Sequence, residues 1–411
     1  MTSTQTLPDE IYGPEFNRDP YPIFARLREE APVRRVTTYR GLNTWLVTRY
    51  ADVRRLLADS RLAKDGSRIG ELMARHSKVT GNATGFPAGL TTNMVNSDPP
   101  DHTRLRNLVG REFTGRRVEQ LRPRIEQIVD EMLDEIAAQD QVEGEVDLAA
   151  TLSLRLPIAV IGELLGVPHA DRMDFFAWAD TLYGGKAEPA ELGRAYQDVV
   201  GYLRRLCEAK RDTPGEDLLT ALVQVSADED RLNPDELVSM ALLLLMAGHE
   251  TTSNQLSNSM LSLLTAPDQL ARLREHPELV TGAVEELLRF EGPGLSASMR
   301  FTTEPVEVAG TVIPEGEFVM LSLASGNRDP EKFPDPDRLD ITRPTNGALA
   351  MGHGIHHCVG AALGRLELEI AIGKLVRRFP HVRLAVEPDA VEWIVNSFFR
   401  GPVKLPLRLH G

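Results

Sequence analysis

"MGHGIHHCVGAALGR", residues 351–365, places His353, His356, His357 and Cys358 within six residues, between glycines at 352, 354 and 360. Three imidazoles and a thiolate are chemically sufficient for a zinc tetrahedron, but zinc sites usually gather their ligands as two pairs separated along the chain. No second Cys/His pair stands elsewhere. The other cysteine, Cys207 in "YLRRLCEAKR", sits at helical spacing from Leu203 and reads as a small buried hydrophobe. After Cys358 the pattern "AALGRLELEIAIGKLVRRF" is helical, so the thiol stands at a helix N-terminus, where free N–H groups and the dipole favour a thiolate. Gly352 and Gly354 would let backbone approach a flat ligand, and Gly360 would permit a tight turn into the helix. One thiolate on a glycine-rich loop suits one axial position on a haem iron better than it suits zinc.

A second stretch points the same way. "NPDELVSMALLLLMAGHETTSNQLSNSMLSLL" opens with Asn233 as cap, Pro234 in the first turn and then Asp235 and Glu236, which predicts a helix running to about Thr265. Its first half is apolar nearly all round, so it should cross the centre of the molecule. Gly248, His249, Glu250, Thr251 and Thr252 interrupt it with poor helix formers. A Thr hydroxyl can bond the carbonyl four residues back, here Ala247, and open a groove. An isolated Thr would be a bland kink. An acid, a hydroxyl and a missing side chain together in a buried apolar helix suggest a notch that holds water and relays protons.

The rest of the chain bounds the answer. A length of 411 residues would ordinarily mean two or three domains, yet no linker, repeat or low-complexity tract divides it. Helical periodicity dominates, as in "PYPIFARLREEA", "YADVRRLLAD", "RRVEQLRPRIEQIVDEMLDEIAAQ" and "DRMDFFAWADTLY". Strand patterns are short: "APVRRVTT", "NTWLVTR", a hairpin in "VEVAGTVIPEGEFVML", and "VKLPLRL". The expected fold is therefore mainly α with small β-sheets, in one large domain spanning residues 1–411. Residues 64–93 carry five glycines and read as one long loop. A net charge of −14 argues against general affinity for nucleic acid or anionic membrane. The N-terminus lacks basic and apolar signal regions, and the apolar run 237–248 is too short to span a bilayer, so a cytoplasmic protein is expected.

Gly-x-Gly-x-His-x-Cys-x-Gly, residues 352–360, closely resembles the haem-ligand signature of the cytochromes P-450, the haem-thiolate monooxygenases. Three further motifs stand in that family's order. "AGHETT" (247–252) resembles its oxygen-activating helix segment, "EELLR" with Glu286 and Arg289 is followed by a meander-like "FPDPDRLD" with Arg338, and "HTRLR" supplies His102 and Arg106. The resemblance covers essentially the whole chain, and the wording of "SDPPDHTRLR" is most like bacterial members that oxidise polyketides and related natural products.

The resemblance implies the following roles. Cys358 is the metal ligand of a haem b; His102, Arg106, Arg300 and His356 face its two carboxylates; Gly352, Ala247 and Gly248 lie against the cofactor. Gly248 leaves room for dioxygen, Thr251 donates a hydrogen bond toward it, and Glu250 links that place to solvent protons. Glu286 and Arg289 form a structural pair that shares Arg338. Met94, Leu243, Ala247, Leu295 and Phe398 lie in pocket-lining segments, and residues 64–93 with Tyr183, Gly184 and Gly185 would gate them. One departure stands out: the aromatic usual seven positions before the cysteine is Met351, a softer shield for the thiolate.

The expected activity is insertion of one atom of O₂ into a bulky hydrophobic small molecule. No flavin or iron–sulfur motif occurs, so electrons should come from a ferredoxin and its reductase. Arg104, Arg106, Arg111, Arg116 and Arg117, against Glu112 alone in residues 102–117, offer a docking patch. A haem sensor, an electron carrier or a peroxide-driven relative would have little need of Glu250 and Thr251 together.

Overall fold

Asn233 starts the helix on which everything else in the computed structural model is hung. Its Oδ1 accepts the N–H groups of Asp235 and Glu236 at 3.0 and 2.9 Å, and Glu236 Oε2 accepts the N–H of Asn233 at 2.9 Å. With Pro234 in its first turn, this reciprocal cap launches the helix Pro234–Leu264, 31 residues and about 46 Å long. Leu237, Met240, Ala241 and Leu244 are buried among Val199, Leu203 and Leu222 of neighbouring helices. The second half is buried too, but polar. Asn258 Nδ2 donates to the carbonyls of Arg400 and Glu291 at 3.0 and 3.3 Å, and Gln255 Nε2 to Ser259 Oγ at 2.9 Å. Buried amides tied to backbone fix the helix in rotation as apolar packing alone would not.

The structure describes residues 7, 9–77, 93–183, 188–225, 232–395 and 399–410. Around the central helix pack Arg155–Leu164, Pro189–Asp212, Val280–Phe290 and the helix that follows the cysteine, Ala361–Arg378. A six-stranded sheet runs in the order Glu10–Ile11, Val33–Thr38, Asn43–Val47, Phe318–Leu321, Arg300–Thr302, Leu62–Ala63. Strands from both ends of the chain share this sheet, so no boundary can be drawn between them. The hairpin expected in the second half forms between Val306–Val308 and Thr311–Ile313 through Ala309 and Gly310, both at positive φ. Its continuation Phe318–Leu321 leaves the hairpin and pairs in parallel with Asn43–Val47. A three-stranded sheet joins Arg383–Leu384, Pro406–Arg408 and Val146–Asp147. No described helix is long and apolar enough to cross a membrane.

Three expectations are corrected. The supposed loop 64–93 contains a helix, Gly66–His76, capped by Asp65, whose Oδ1 accepts the N–H of Ser67 at 2.9 Å. Ile69, Leu72, Met73 and His76 supply its inner stripe, which Gly66 and Gly70 obscure in the sequence; residues 78–92 lie outside the described residues. The long periodic run after residue 115 is two helices, Gly115–Gln120 and Arg122–Glu143, because Pro123 is tolerated only in a first turn.

The third correction concerns the buried pair. Arg289 donates from Nε and Nη2 to Glu286 at 2.7 and 2.8 Å, both side chains wholly enclosed. The third member is Arg343, whose Nε reaches Glu286 Oε1 at 3.1 Å; Arg338 is exposed and contributes its backbone carbonyl to Arg343. Arg289 also holds the carbonyls of Asn327 and Pro336, so one ion network ties the helix Val280–Phe290 to the segment that leads into the cysteine loop. Replacing Glu286 by Gln strands buried guanidinium charge and should cost about 3–5 kcal/mol. A urea midpoint lowered at unchanged slope is the expected reading, and an unmoved midpoint would contradict it.

Candidate functional site

The cysteine loop is a closed turn. The N–H of Cys358 donates to the Met351 carbonyl at 2.8 Å, and those of Gly352 and His357 to Leu349 and Gly354 at 2.8 and 3.0 Å. Gly352 and Gly354 adopt φ of 74° and 75°, a region that other residues avoid. A Cβ on Gly354 would lie 2.8 Å from the Leu57 carbonyl oxygen. Its missing side chain therefore admits the end of the helix Tyr50–Leu57, a correction to the idea that it faces a ligand. Gly360 has an unrestricted φ of −82°, and a Cβ there would project into open space. The expected conformational need at Gly360 is absent.

Cys358 itself is accessible at one side and crowded elsewhere. Desolvation raises its thiol pKa, against the pull of the Gly360 N–H and the charges of Arg106 and Arg365. The helix N-terminus thus favours a thiolate but does not by itself create one. Among the described residues, no three His, Cys, Asp or Glu side chains stand together in a way that could hold a metal ion. Met351 is half-buried and packs with Ala350 against the main core.

Beside the sulfur lies a cluster of cations and imidazoles. His102, from the helix Asp101–Gly110, and His356, from the loop, have ring centroids 4.2 Å apart, and the Nε2 atoms of both are buried without a hydrogen-bond partner. Desolvation, then the charges of Lys64, Arg300 and Arg106, drives His356 down to about 2; desolvation and Arg106 lower His102. Arg300 is buried, lowered to about 10 by desolvation, with one nitrogen on the Ser298 carbonyl at 3.2 Å. Arg106 is half-buried and near enough to Cys358 to act on it. Lys64, absent from every motif, is buried in the same cluster with Nζ 2.6 Å from Ser298 Oγ. Its only signal in the sequence is a lone Lys closing the short apolar strand Leu62–Ala63. Unpartnered imidazoles and surplus positive charge next to one open sulfur fit a flat cofactor with two carboxylates and a metal that takes a single thiolate. A haem meets that description.

Midway along its length the central helix changes character. Leu243, Met246, Ala247, Glu250 and Thr251 are partly or fully accessible, whereas Leu244, Leu245, His249 and Ser253 are buried. Their spacing puts them on one stripe, an open face on an otherwise enclosed helix. Thr251 Oγ1 donates to the Ala247 carbonyl at 2.7 Å, as expected. A hydroxyl has one proton, so toward open space Oγ1 presents lone pairs; the expected donor is an acceptor in this state. Gly248 does not face the stripe. A Cβ there would lie 3.2 Å from Ile161 Cδ1, so its missing side chain lets the helix Arg155–Leu164 pack close rather than leaving the expected room.

The sequence-derived lining residues fare unevenly. Leu243 lies on the stripe, and Met94 is buried in the same apolar cluster. Leu295 is fully buried among Ile11, Tyr12, Phe16 and Met320 and lines nothing; the accessible members of its segment are Ala297, Ser298 and Met299. Phe398, Gly184 and Gly185 lie outside the described residues, as does the Tyr183 side chain. The arginine patch is smaller than expected. Arg104 binds Glu236 at 2.5 Å and Arg106 turns inward, leaving Arg111 and Arg116 exposed with Arg117 paired to Glu112.

A cytochrome P450 family model matches residues 163–398. A cytochrome P450 monooxygenase, PikC, of Streptomyces venezuelae is 50% identical over 398 residues, covering 96% of this chain and 92% of that one. The 6-deoxyerythronolide B hydroxylase of Saccharopolyspora erythraea is 43% identical, with 99% of this chain and all of that one covered. Among solved structures, the tirandamycin C-bound P450 monooxygenase TamI superposes with a TM-score of 0.88 at 44% identity, over 98% of this chain and all of that one.

Two acids, one half-buried on the stripe and one fully buried, were differently legible. Glu250 is raised to about 7, desolvation outweighing the Arg40 charge. Glu367, on the cysteine helix one turn beyond Gly364, was not singled out; it is wholly buried, its Oε2 has no partner, and desolvation raises it to about 8. Both ordinarily ionise near 4.5, so between 4.5 and about 8 the folded chain binds more protons than the unfolded one. The stability these two acids contribute is therefore fullest below that window and falls as pH rises through it, by at most about 1.4 kcal/mol per pH unit for each acid. His356 and His249, lowered from 6.5 to about 2 and about 4, act in the opposite sense below pH 6.5, so the decline stands clear of them between pH 6.5 and 8. Unfolding measured across that range should show it, and Glu367→Gln should remove most of the part above pH 7. An unchanged slope in Glu367→Gln would refute the assignment.

Proposed function

The chain belongs to the cytochrome P450 family, its enzymes being haem-thiolate monooxygenases, and we propose that this one oxidises a bulky, lipophilic natural product of polyketide or macrolide type. Two similar proteins carry such compounds in their names, 6-deoxyerythronolide B and tirandamycin C. The accessible stripe of Leu243, Met246 and Ala247 supports an apolar ligand held by shape with few polar contacts. Hydroxylation or epoxidation are the outcomes open to it. We take residues 1–411 as one catalytic domain acting in the cytoplasm.

The observation that carries the reading is a single accessible Cys358 beside His102 and His356, whose buried Nε2 atoms have no hydrogen-bond partner, and the charges of Arg106 and Arg300. Cys358 would be the one protein ligand of a haem b, its electron density pushed toward the metal through sulfur. His102, Arg106, Arg300 and His356 would hold the two carboxylates, replacing water that burial removes. Bound there, haem supplies the iron that activates dioxygen and transfers one of its atoms.

The chain's own share of the chemistry is protonic. Thr251 Oγ1 accepts a hydrogen bond from water at the open stripe while the Ala247 carbonyl fixes its own proton. Glu250, one residue away and raised to about 7, gains and loses a proton near neutrality. Electrons would come from a ferredoxin and its reductase, docking where Arg111 and Arg116 are exposed at the end of the helix that carries His102 and Arg106.

Two experiments test this. The reduced, carbon-monoxide-bound protein should show the red-shifted Soret band of thiolate-bound haem, and Cys358→Ser should lose it while folded; an unchanged band would remove Cys358 as the ligand. With ferredoxin, reductase and a substrate supplied, Thr251→Ala should bind substrate normally but divert most reducing equivalents to peroxide, lowering product per NADPH by about tenfold. Equal coupling in mutant and wild type would reject the role.

A further inference from the structure

Lys64 stands where a lysine is costly. Strand Leu62–Ala63 pairs antiparallel with Arg300–Thr302, Leu62 opposite Thr302 and Ala63 opposite Phe301. Continuing that register by one residue sets Lys64 opposite Arg300, two like charges at the position where a sheet disfavours them. Both are buried, and both turn to the same serine: Lys64 Nζ to Ser298 Oγ at 2.6 Å and Arg300 to the Ser298 carbonyl at 3.2 Å. Neither contact offsets charge. Asp98 is the carboxylate that acts on both, and its Oδ2 accepts the Lys64 backbone N–H at 2.9 Å, which holds the residue in place.

Charge balance shows what is missing. Arg106, Arg300 and a protonated Lys64 bring three positive charges against one on Asp98, with His102 and His356 driven toward neutrality. The surplus is two. Without Lys64 it would be one, and a dianionic ligand would leave a carboxylate uncompensated in a poorly solvated place. We propose that Lys64 is a further cofactor-holding residue, its ammonium paired beside Arg300 with one of the two carboxylates of the bound haem. Burial and the Arg300 charge push Lys64 toward its neutral form in the protein alone, and a carboxylate alongside restores the ammonium. The proposal rests on the haem reading above.

The test compares holo-enzymes: wild type, Lys64→Met, and Ser298→Ala, which removes the hydrogen bond to Nζ but keeps the charge. Each is mixed with excess acceptor globin, and the rate of haem transfer is followed together with the carbon-monoxide spectrum and the reduction potential. Lys64→Met should release haem at least about tenfold faster, keep the thiolate-type band, and show a lower potential for lack of a nearby cation. Ser298→Ala should stay within about twofold of wild type. Where Lys64→Met does not fold, Lys64→Gln, which can keep the serine contact without the charge, takes its place. Equal release from wild type and the uncharged variants overturns the proposal, as does equal acceleration in Ser298→Ala, which would make the bond and not the charge the cause. A wild type with no thiolate-type band would remove the haem reading and this assignment with it.

Discussion

Positive charge gathered in a poorly solvated interior is the constraint on which the arrangement depends. Arg300 comes from a strand, Arg106 and His102 from the helix Asp101–Gly110, His356 from the cysteine loop and Lys64 from the end of a second strand. These elements lie far apart in sequence and converge on one place, where each added cation makes the next more expensive. Packing supplies the force that holds them, through apolar clusters on both sides of the central helix. The convergence is stable when something anionic is shared. A chain built this way folds around its ligand's charge as much as around its own core.

The central helix meets a second demand, to be buried nearly everywhere and open along one stripe. Its apolar half buries by ordinary packing, and its polar half is locked by Asn258 and Gln255 onto neighbouring backbone and side chains. Between the halves, Gly248 buys close approach of the neighbouring helix on one side while Ala247, Glu250 and Thr251 stay accessible on the other. Helix Arg155–Leu164 has to come close at Gly248 for the stripe to be left free. The interruption legible in the sequence is thus two devices three residues apart, one for packing and one for chemistry.

How much could be read in advance follows from which physics is local. The cap at Asn233 and the hairpin at 306–313 depend on neighbours in sequence, and they were legible; at Cys358 the sequence marked the loop but not what Gly354 and Gly360 do in it. Family motifs brought His102, Arg106, Arg300 and His356 into one list, and the structure brings them into one cluster. What escaped was set by tertiary partners. Arg343 and not Arg338 completes the Glu286 network because of how the segment after Phe333 turns back. Leu295 and Met299 are both apolar and four residues apart, yet only the sheet decides that the first is enclosed. Lys64 carried no pattern at all; its meaning lies in the register against Arg300, which is a fact of two strands.

Desolvation links the parts of the site. It brings Glu250 to about 7, lowers His356 and Arg300, and raises the Cys358 thiol. Taken singly these are penalties, each disfavouring a charged form. Taken together they set a division of labour. On the proposed reading a metal would favour the thiolate, carboxylates would balance the cations, and one bound group would supply both at once. Glu250 stands apart from that exchange, on the open stripe, and is held near 7 because desolvation outweighs the Arg40 charge. A drier cavity would hold the cofactor's carboxylates more strongly but push Glu250 beyond useful range. A wetter one would return the acid to its ordinary value and let water reach the stripe by other paths. Glu250, raised to about 7, lies between those limits, and on the proposed reading it would both take up and release a proton near neutrality.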